Sequence, residues 1–366
     1  MKIVEIIPFL YPIGGAERLV IDLVNCASAN ADDVFLLVSL YSRNENNVLR
    51  QLESNRSVKI VFLNKKRGVD FRCSRRLKKV INDFDPDIVH CHLDSLLTIY
   101  LSGINKKYKT FFTFHTLINK ATVGRKFNIK NLLYRYLFSK HKIYPIAISK
   151  VVKESICNYY GLPERCVPIV KNGVPLNKFR NSIDFEERKF DYSFIGRFID
   201  IKNPDLIVEA FNIVINKFPF SKLVMIGDGP LVSKCKEESG LCLGNNIVFT
   251  GFVDDVSLYL KNTKYLILAS TYEGNPMVVN EAIASGCYVI ATKVGGIPDV
   301  VNDSNGKLIN YDNNLRDNLA QSMIEALHDA KSIGYKLKCG YKTNQNQVSI
   351  EKTWSEYLSL FTEAQK

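Results

Sequence analysis

Short runs of β-branched and aromatic residues alternate with helix-period stretches along this chain, and near its middle the alternation begins again. Residues 2–8, 34–40, 58–63, 87–91, 110–115 and 144–149 read as strands, with helices expected at 16–29, 48–54, 72–84, 95–105, 128–138 and 150–159. The second round places strands at 190–196, 222–226, 247–250, 265–269, 288–291 and 306–309, with helices at 204–217, 230–239, 256–261, 276–285, 297–301 and 314–330. Strand–helix alternation requires a parallel sheet, because each crossover lays a helix on one of its faces. The expected class is therefore α/β, with two Rossmann-like domains facing across a cleft. Ligands of such sheets bind beyond the carboxyl ends of the strands, so residues in those loops carry most weight.

A chain of 366 residues is long enough for two domains that each bury a core. They are expected at 1–175 and 190–345, joined by a charged connector at 172–189 that contains Pro175. A closing segment at 350–366 carries Trp354, Tyr357, Leu358 and Phe361 at helical spacing. No apolar run is long enough to span a bilayer, and the first eight residues are too short and too charged for a signal peptide, which points to a cytoplasmic protein. The nine scattered cysteines, none in a CxxC pair, fit free thiols in a reducing compartment. His90-Cys91-His92 has the look of a metal cluster, but in a strand Cys91 points away from the two histidines. No metal site is expected.

The net charge of +12 is unevenly spread: residues 1–180 carry +16 and the remainder −4. Lys65, Lys66 and Arg67 stand close to Arg72, Arg75, Arg76, Lys78 and Lys79. A second cluster runs through Lys120, Arg125, Lys126, Lys130, Arg135, Lys140 and Lys142, interleaved with Phe127, Leu132, Leu133, Tyr134, Tyr136, Leu137 and Phe138. Such a half attracts an anionic surface or a lipid diphosphate. The expectation is peripheral contact with the inner face of a membrane. No recognised nucleic-acid motif accompanies the charge, so nucleic acid is not an expected partner.

Chemistry concentrates at residues 271–286. Pro276 suits a first helical position and Asn275 an N-cap, so Glu273 is expected at the mouth of a helix and Glu281 about a turn and a half inside it. Amides at that mouth attract an anion, while carboxylates suit hydroxyls. Phosphate on the former and hydroxyls on the latter describe a nucleotide sugar. Asn280, within this helix, is expected to face solvent. Gly14 and Gly15 open the first helix, where bare backbone either makes a tight turn or lets a ligand approach closely. His115 ends the fifth strand. Arg197 and Lys202 follow the first strand of the second half, beginning at Gly196, as a guanidinium fork and a point charge able to offset charge on a departing diphosphate.

The string from Glu273 to Gly286 closely resembles the donor-site motif of the retaining GT-B glycosyltransferases of family 4, in which Glu, seven residues and Glu precede small residues and Gly. Gly196-Arg197 with Lys202-Asn203-Pro204, Asn172-Gly173-Val174, Gly227-Asp228-Gly229, Gly251-Phe252-Val253 and Gly295-Gly296-Ile297-Pro298-Asp299 match further motifs of that family. The resemblance implies that Arg197 and Lys202 hold the diphosphate, that Glu281 binds ribose hydroxyls, and that Glu273 lies against the donor sugar. It likewise implies donor contacts for Gly14, Gly15, Asn172, Gly196, Gly227, Gly251, Phe252, Gly274, Asn275, Pro276, Met277 and Val278. His115 takes a hydrogen-bonding role with the sugar, since Thr116 stands where many members have Asp. The last helix is implied to cross back to the N-terminal domain.

The expected activity is metal-independent, retaining transfer of a sugar from a nucleotide diphosphate, UDP first, to a hydroxyl acceptor. No cofactor is expected, and no Asp-x-Asp triplet stands at a strand end. The basic first half suggests a lipid-linked or oligosaccharide acceptor, as in capsule or O-antigen synthesis. An epimerase or phosphorylase on the same plan, or a non-catalytic nucleotide-sugar or membrane-binding protein, are the alternatives.

Overall fold

The computed structural model describes residues 1–10, 14–29, 33–42, 52, 55–118 and 129–365. Apart from Leu52, the helix expected at 48–54 lies outside the described residues, as do Lys120, Arg125, Lys126 and Phe127. The chain divides into two compact units, one formed by Met1–Gly173 with Ile350–Lys366 and the other by Val174–Ser349.

The first unit is built on a parallel sheet of β1 (Lys2–Ile7), β2 (Val34–Ser39), β3 (Val58–Phe62), β4 (Ile88–His92), β5 (Lys109–Phe114) and β6 (Tyr144–Ala147). Its order is β3-β2-β1-β4-β5-β6, so the strand order reverses between β1 and β4. Register pairs Glu5 with His90 and His92 with Thr113. Because successive side chains alternate, Val4, Ile6, Val89, Cys91 and Phe112 fall on one face and join the core beneath the helices Phe71–Phe84 and Lys150–Tyr160. Glu5, His90, His92, Phe111 and Thr113 fall on the other. The helix Ile350–Gln365 covers that second face, laying Trp354 on Phe35 and placing Tyr357 and Phe361 within 5.4 Å, ring to ring, of His90. Cys91 thus points away from its neighbouring histidines, and its thiol donates to the carbonyl of Phe111.

The second unit repeats the plan with β7 (Phe190–Ile195), β8 (Leu223–Ile226), β9 (Ile247–Gly251), β10 (Thr263–Leu268), β11 (Tyr288–Thr292) and β12 (Gly306–Ile309). The order is β12-β11-β10-β7-β8-β9, the same reversal, here between β7 and β10. Its strands carry apolar residues on both faces because helices cover both. Tyr192, Phe194, Phe198, Phe211 and Tyr265 are fully buried, and the Tyr192 hydroxyl reaches the carbonyl of Met323 at 2.8 Å. The helix Ala330–Gln347 has no counterpart in the sequence expectations. Only Leu337 and Asn344 of its residues are buried, so it carries no apolar stripe to read.

Residues 174–189 also belong to the second unit, and Arg188 is deeply buried there. Its guanidinium donates to the carbonyls of Thr263 and Gly286 at 2.8 and 2.9 Å and to that of Ser285 at 3.1 Å. A cation therefore closes the C-terminal end of the helix Met277–Ala284, where unpaired carbonyls collect.

Candidate active site

In the second unit the strand-order reversal brings together the carboxyl ends of β7 and β10. Gly196, Arg197 and Lys202 follow β7, while Ser270 and Glu273 follow β10. Hydrogen bonds tie these loops together: the Thr271 amide donates to the Ile201 carbonyl at 2.9 Å, and the Asn203 side chain to the Ala269 carbonyl at 2.8 Å. The result is an ion pair, in which Lys202 Nζ contacts Glu273 Oε1, while the hydroxyl of Ser270 donates to the same oxygen at 2.7 Å. Both charged groups are largely withdrawn from water, with 19% of the Lys202 side chain and 9% of that of Glu273 exposed. Arg197 is exposed and, among the described residues, engages no carboxylate.

The backbone of Glu273 is clamped from behind. The Gly296 amide donates to its carbonyl at 3.1 Å, and a Cβ on Gly295 would lie 1.7 Å from that same oxygen. Gly295 also holds φ at +54, so glycine is required here twice over. The Gly-Gly turn after β11 therefore fixes where Glu273 stands. Thr292, at the end of β11, reaches the Ser270 carbonyl at 2.6 Å and fixes the third member of the group.

The helix after Glu273 opens at Met277, with Pro276 rather than Asn275 in the capping position. Asn275 is instead buried and accepts from the Asn280 side chain at 3.0 Å. Asn280 is fully buried, so the expectation that it faces solvent is wrong: all residues of this helix but Val278 are buried, leaving no solvent side at position 280. Glu281 is also buried, at 3% exposure.

Around these residues the remaining loops pack backbone on backbone. Gly227 has φ +129, and a Cβ there would meet the Gly196 carbonyl at 1.9 Å. Its amide donates to Gly251 at 2.9 Å, while Phe198 donates to Asp228 at 2.9 Å. The loops after β7, β8 and β9 thus form one seam, with Phe252 exposed at its edge. Gly274, Asn275, Pro276 and Met277 are all buried between Glu273 and the helix, and Val278 is half-buried.

In the first unit, Gly14 caps the helix Gly15–Ala27 with an extended backbone, and Gly15 is exposed at its first turn. Asn172 is buried near the last residue of Met1–Gly173 and belongs to this unit. His115 is half-buried beyond β5, and its Nε2 lies 3.0 Å from Nδ1 of His92. His92 in turn meets Glu5 at 2.8 Å, and His90 meets the other carboxylate oxygen at 3.1 Å. Burial drives the Glu5 carboxyl upward, but the two imidazoles prevail and hold it at about 2. Burial, reinforced by His90, brings His92 down to about 4 against the pull of Glu5. Burial first, and then His92 and His90, keep His115 well below the ordinary histidine range. The donor atoms of Glu5, His90 and His92 lie within 4.8 Å of one another, but the contacts between them are N–H to carboxylate lengths.

Glu5 and Ser270 were missing from the sequence expectations, and His92 entered them only in the metal-like cluster that was set aside. Glu5 had a signal, a carboxylate inside an otherwise apolar strand. Ser270 had none, since its importance comes from the residue it touches.

The chain matches the Glycosyltransferase Family 4 model over residues 13–178 and the Glycosyl transferases group 1 model over residues 177–344. A crystal structure of a glycosyltransferase from Rickettsia africae superposes with a TM-score of 0.80 at 20% identity, covering 100% of this chain and 98% of that one. Anabaena Alr3699/HepE in complex with UDP and glucose superposes with a TM-score of 0.80 at 15% identity, over 99% of this chain and 100% of that one. Among curated relatives, the UDP-Gal:alpha-D-GlcNAc-diphosphoundecaprenol alpha-1,3-galactosyltransferase of Escherichia coli is 26% identical over 270 residues, covering 66% of each chain. The matched region spans only 58% to 64% of the length of the first three curated relatives. With two family models running end to end from residue 13 to residue 344 and the fold of the GT-B enzymes in both units, the chain belongs to the family 4, group 1 glycosyltransferases.

Proposed function

We propose that this protein transfers a sugar from a nucleoside-diphosphate sugar, a UDP-sugar first, to a hydroxyl acceptor, with retention at the anomeric carbon and without a metal ion. The observation that carries the reading is the Lys202–Glu273 pair at the strand-order reversal of the second unit, in the same loop after β7 that carries the exposed Arg197. The two cations hold the diphosphate and stabilise the charge that develops on it as the glycosidic bond breaks. Glu273, brought to the same place, accepts hydrogen bonds from sugar hydroxyls, and Glu281 from those of the ribose. Gly14, Gly15, Asn172, Gly196, Gly227, Gly251, Phe252 and residues 274–278 contribute donor contacts, largely through backbone. His115 hydrogen-bonds a sugar hydroxyl. The UDP bound to the Anabaena protein supports the choice of nucleotide.

A lipid-diphosphate acceptor at an anionic membrane is the finer part of this reading. It is supported by the diphosphoundecaprenol named for the Escherichia coli relative and by the first unit's own surface. There Val69 and Phe71 stand 58% and 60% exposed beside the exposed Arg72, Arg75, Arg76, Lys78 and Lys79. No helix among the described residues is long and apolar enough to cross a membrane.

The test is transfer from radiolabelled nucleotide sugars to lipid and soluble glycan acceptors, with and without chelator, and the anomeric configuration of the product read by NMR. Chelator-resistant transfer with the donor's configuration kept is the expected result. Interconversion of the donor without acceptor, or a strict need for inorganic phosphate, would replace this reading by epimerase or phosphorylase.

A further inference from the structure

The buried polar row of the first unit is more than a satisfied core, because the positions of its protons can be worked out. Glu5 lies on β1, His90 and His92 on β4, Thr113 on β5 and Tyr357 on the C-terminal helix. Glu5, His90, His92 and Tyr357 are each at most 2% exposed, and Thr113 is fully buried. An ionised carboxylate only accepts, so both imidazoles that touch it present N–H: His90 from Nδ1 and His92 from Nε2. A neutral imidazole has one N–H, which leaves His92 Nδ1 as a bare lone pair. The atom facing that lone pair, at 3.0 Å, is Nε2 of His115. Two bare nitrogens do not attract one another, so Nε2 of His115 carries the proton. The far side of the row agrees. His90 Nε2 accepts from the Thr113 hydroxyl at 2.8 Å, and that oxygen lies 3.2 Å from the Tyr357 hydroxyl.

We propose that Glu5, acting through His92, is a positioning residue that locks His115 in the Nε2–H tautomer and so leaves its Nδ1 as an obligate acceptor for a substrate hydroxyl. The substrate role rests on the glycosyl-transfer reading, whereas the lock itself does not. A ring set in this way accepts a hydroxyl proton without first having to redistribute its own. The assignment explains why a carboxylate stands in the middle of an apolar strand. It also gives His115, which is followed by Thr116, a distant acid that acts in series through a second ring.

The experiment is a long-range proton–nitrogen NMR spectrum of the full chain labelled with 15N-histidine, recorded near neutral pH without donor or acceptor. His115 is assigned by the signals that vanish in His115→Gln. The expected pattern is a neutral ring with its proton on Nε2. In Glu5→Leu the common acceptor is gone, and the His115 signals move to the averaged pattern of an unrestrained ring. In the same variant kcat for sugar transfer falls by about tenfold or more, while KM for the donor changes by less than about threefold. Should Glu5→Leu fail to fold, His92→Phe cuts the same link at its second member and gives the same averaged pattern. A wild-type ring protonated on Nδ1, or an Nε2–H signature that survives both substitutions, overturns the lock. A locked ring in a chain that transfers no sugar keeps the lock but rejects the sugar hydroxyl as what it serves.

Discussion

Lys202 and Glu273 sit 71 positions apart in sequence, yet their charged ends meet where the loops after β7 and β10 converge. Neither charge is free to act alone. The carboxylate anchors the ammonium and the Ser270 hydroxyl anchors the carboxylate, so a ligand entering here meets a prearranged group.

Interdependence is the first expected consequence. Lys202→Met and Glu273→Gln should each reduce kcat by about 10²–10³-fold, the usual loss when one oriented charge is removed from a transition state. The double substitution should cost little more than either single one, because the two side chains act as a unit. Steady-state kinetics of the four proteins checks this. Multiplying losses would show that the two residues work separately.

Gly295 gives a sharper structural test. Gly295→Ala drives a Cβ to 1.7 Å from the Glu273 carbonyl and must displace it, whereas Gly103→Ala, at φ +71 and ψ +10 with nothing within 4 Å, meets only the left-handed backbone penalty. That penalty is about 1–2 kcal/mol. Thermal or denaturant unfolding should find Gly295→Ala the more damaging of the two, and only Gly295→Ala should abolish transfer.

Arg188→Ala should destabilise the second unit by about 2–3 kcal/mol, since three carbonyls lose a charged donor in a buried place. Arg188→Lys should recover only part of this, because an ammonium lacks the planar fork. Urea unfolding of both variants measures it.

Acid stability follows from the buried row of the first unit. His92 titrates near 4 in the folded protein against an ordinary 6.5, and Glu5 near 2 against 4.5. Between about pH 6.5 and 4 the unfolded chain binds a proton at His92 that the folded one refuses, so stability falls on acidification by up to about 1.4 kcal/mol per pH unit for that group. The Glu5 contribution is present above about 4.5 and is lost as pH falls from there toward 2. His115 acts in the same direction as His92. Melting temperatures from pH 7 to pH 4 should drop, and the slope should be shallower in His92→Phe.

Membrane contact should show itself in vesicles. Binding to vesicles rich in phosphatidylserine should be strong at low salt, weaken steeply as salt is raised, and fall further in Val69→Asp with Phe71→Asp. Each basic residue near such a surface contributes about 1 kcal/mol, so Arg75→Ala with Arg76→Ala should lower binding by roughly tenfold or more. Equal binding to neutral vesicles would remove electrostatics from the account.

Much of this was legible in the residues. Alternating runs announced two α/β halves, and the motifs after Gly196 and Thr271 pointed to loops that the fold brings together. What escaped reading depended on burial. Asn280 looks like a surface residue because it is polar, but its helix is enclosed on nearly every side and its amide is spent on Asn275. The helix Ala330–Gln347 hides for the opposite reason, having too few buried residues to set a period. The Glu5–His92–His115 row joins three separate strand segments, and no local window contains it. Only the register that pairs Glu5 with His90 and His92 with Thr113 makes it visible.

The most direct test of the central claim is titration calorimetry of the wild-type chain with a panel of nucleotide sugars, repeated with Arg197→Ala and Glu281→Ala. The account predicts that at least one UDP-sugar binds without added metal and that each substitution weakens it by about tenfold or more. Binding unchanged in both variants, or none with any nucleotide sugar, would contradict it.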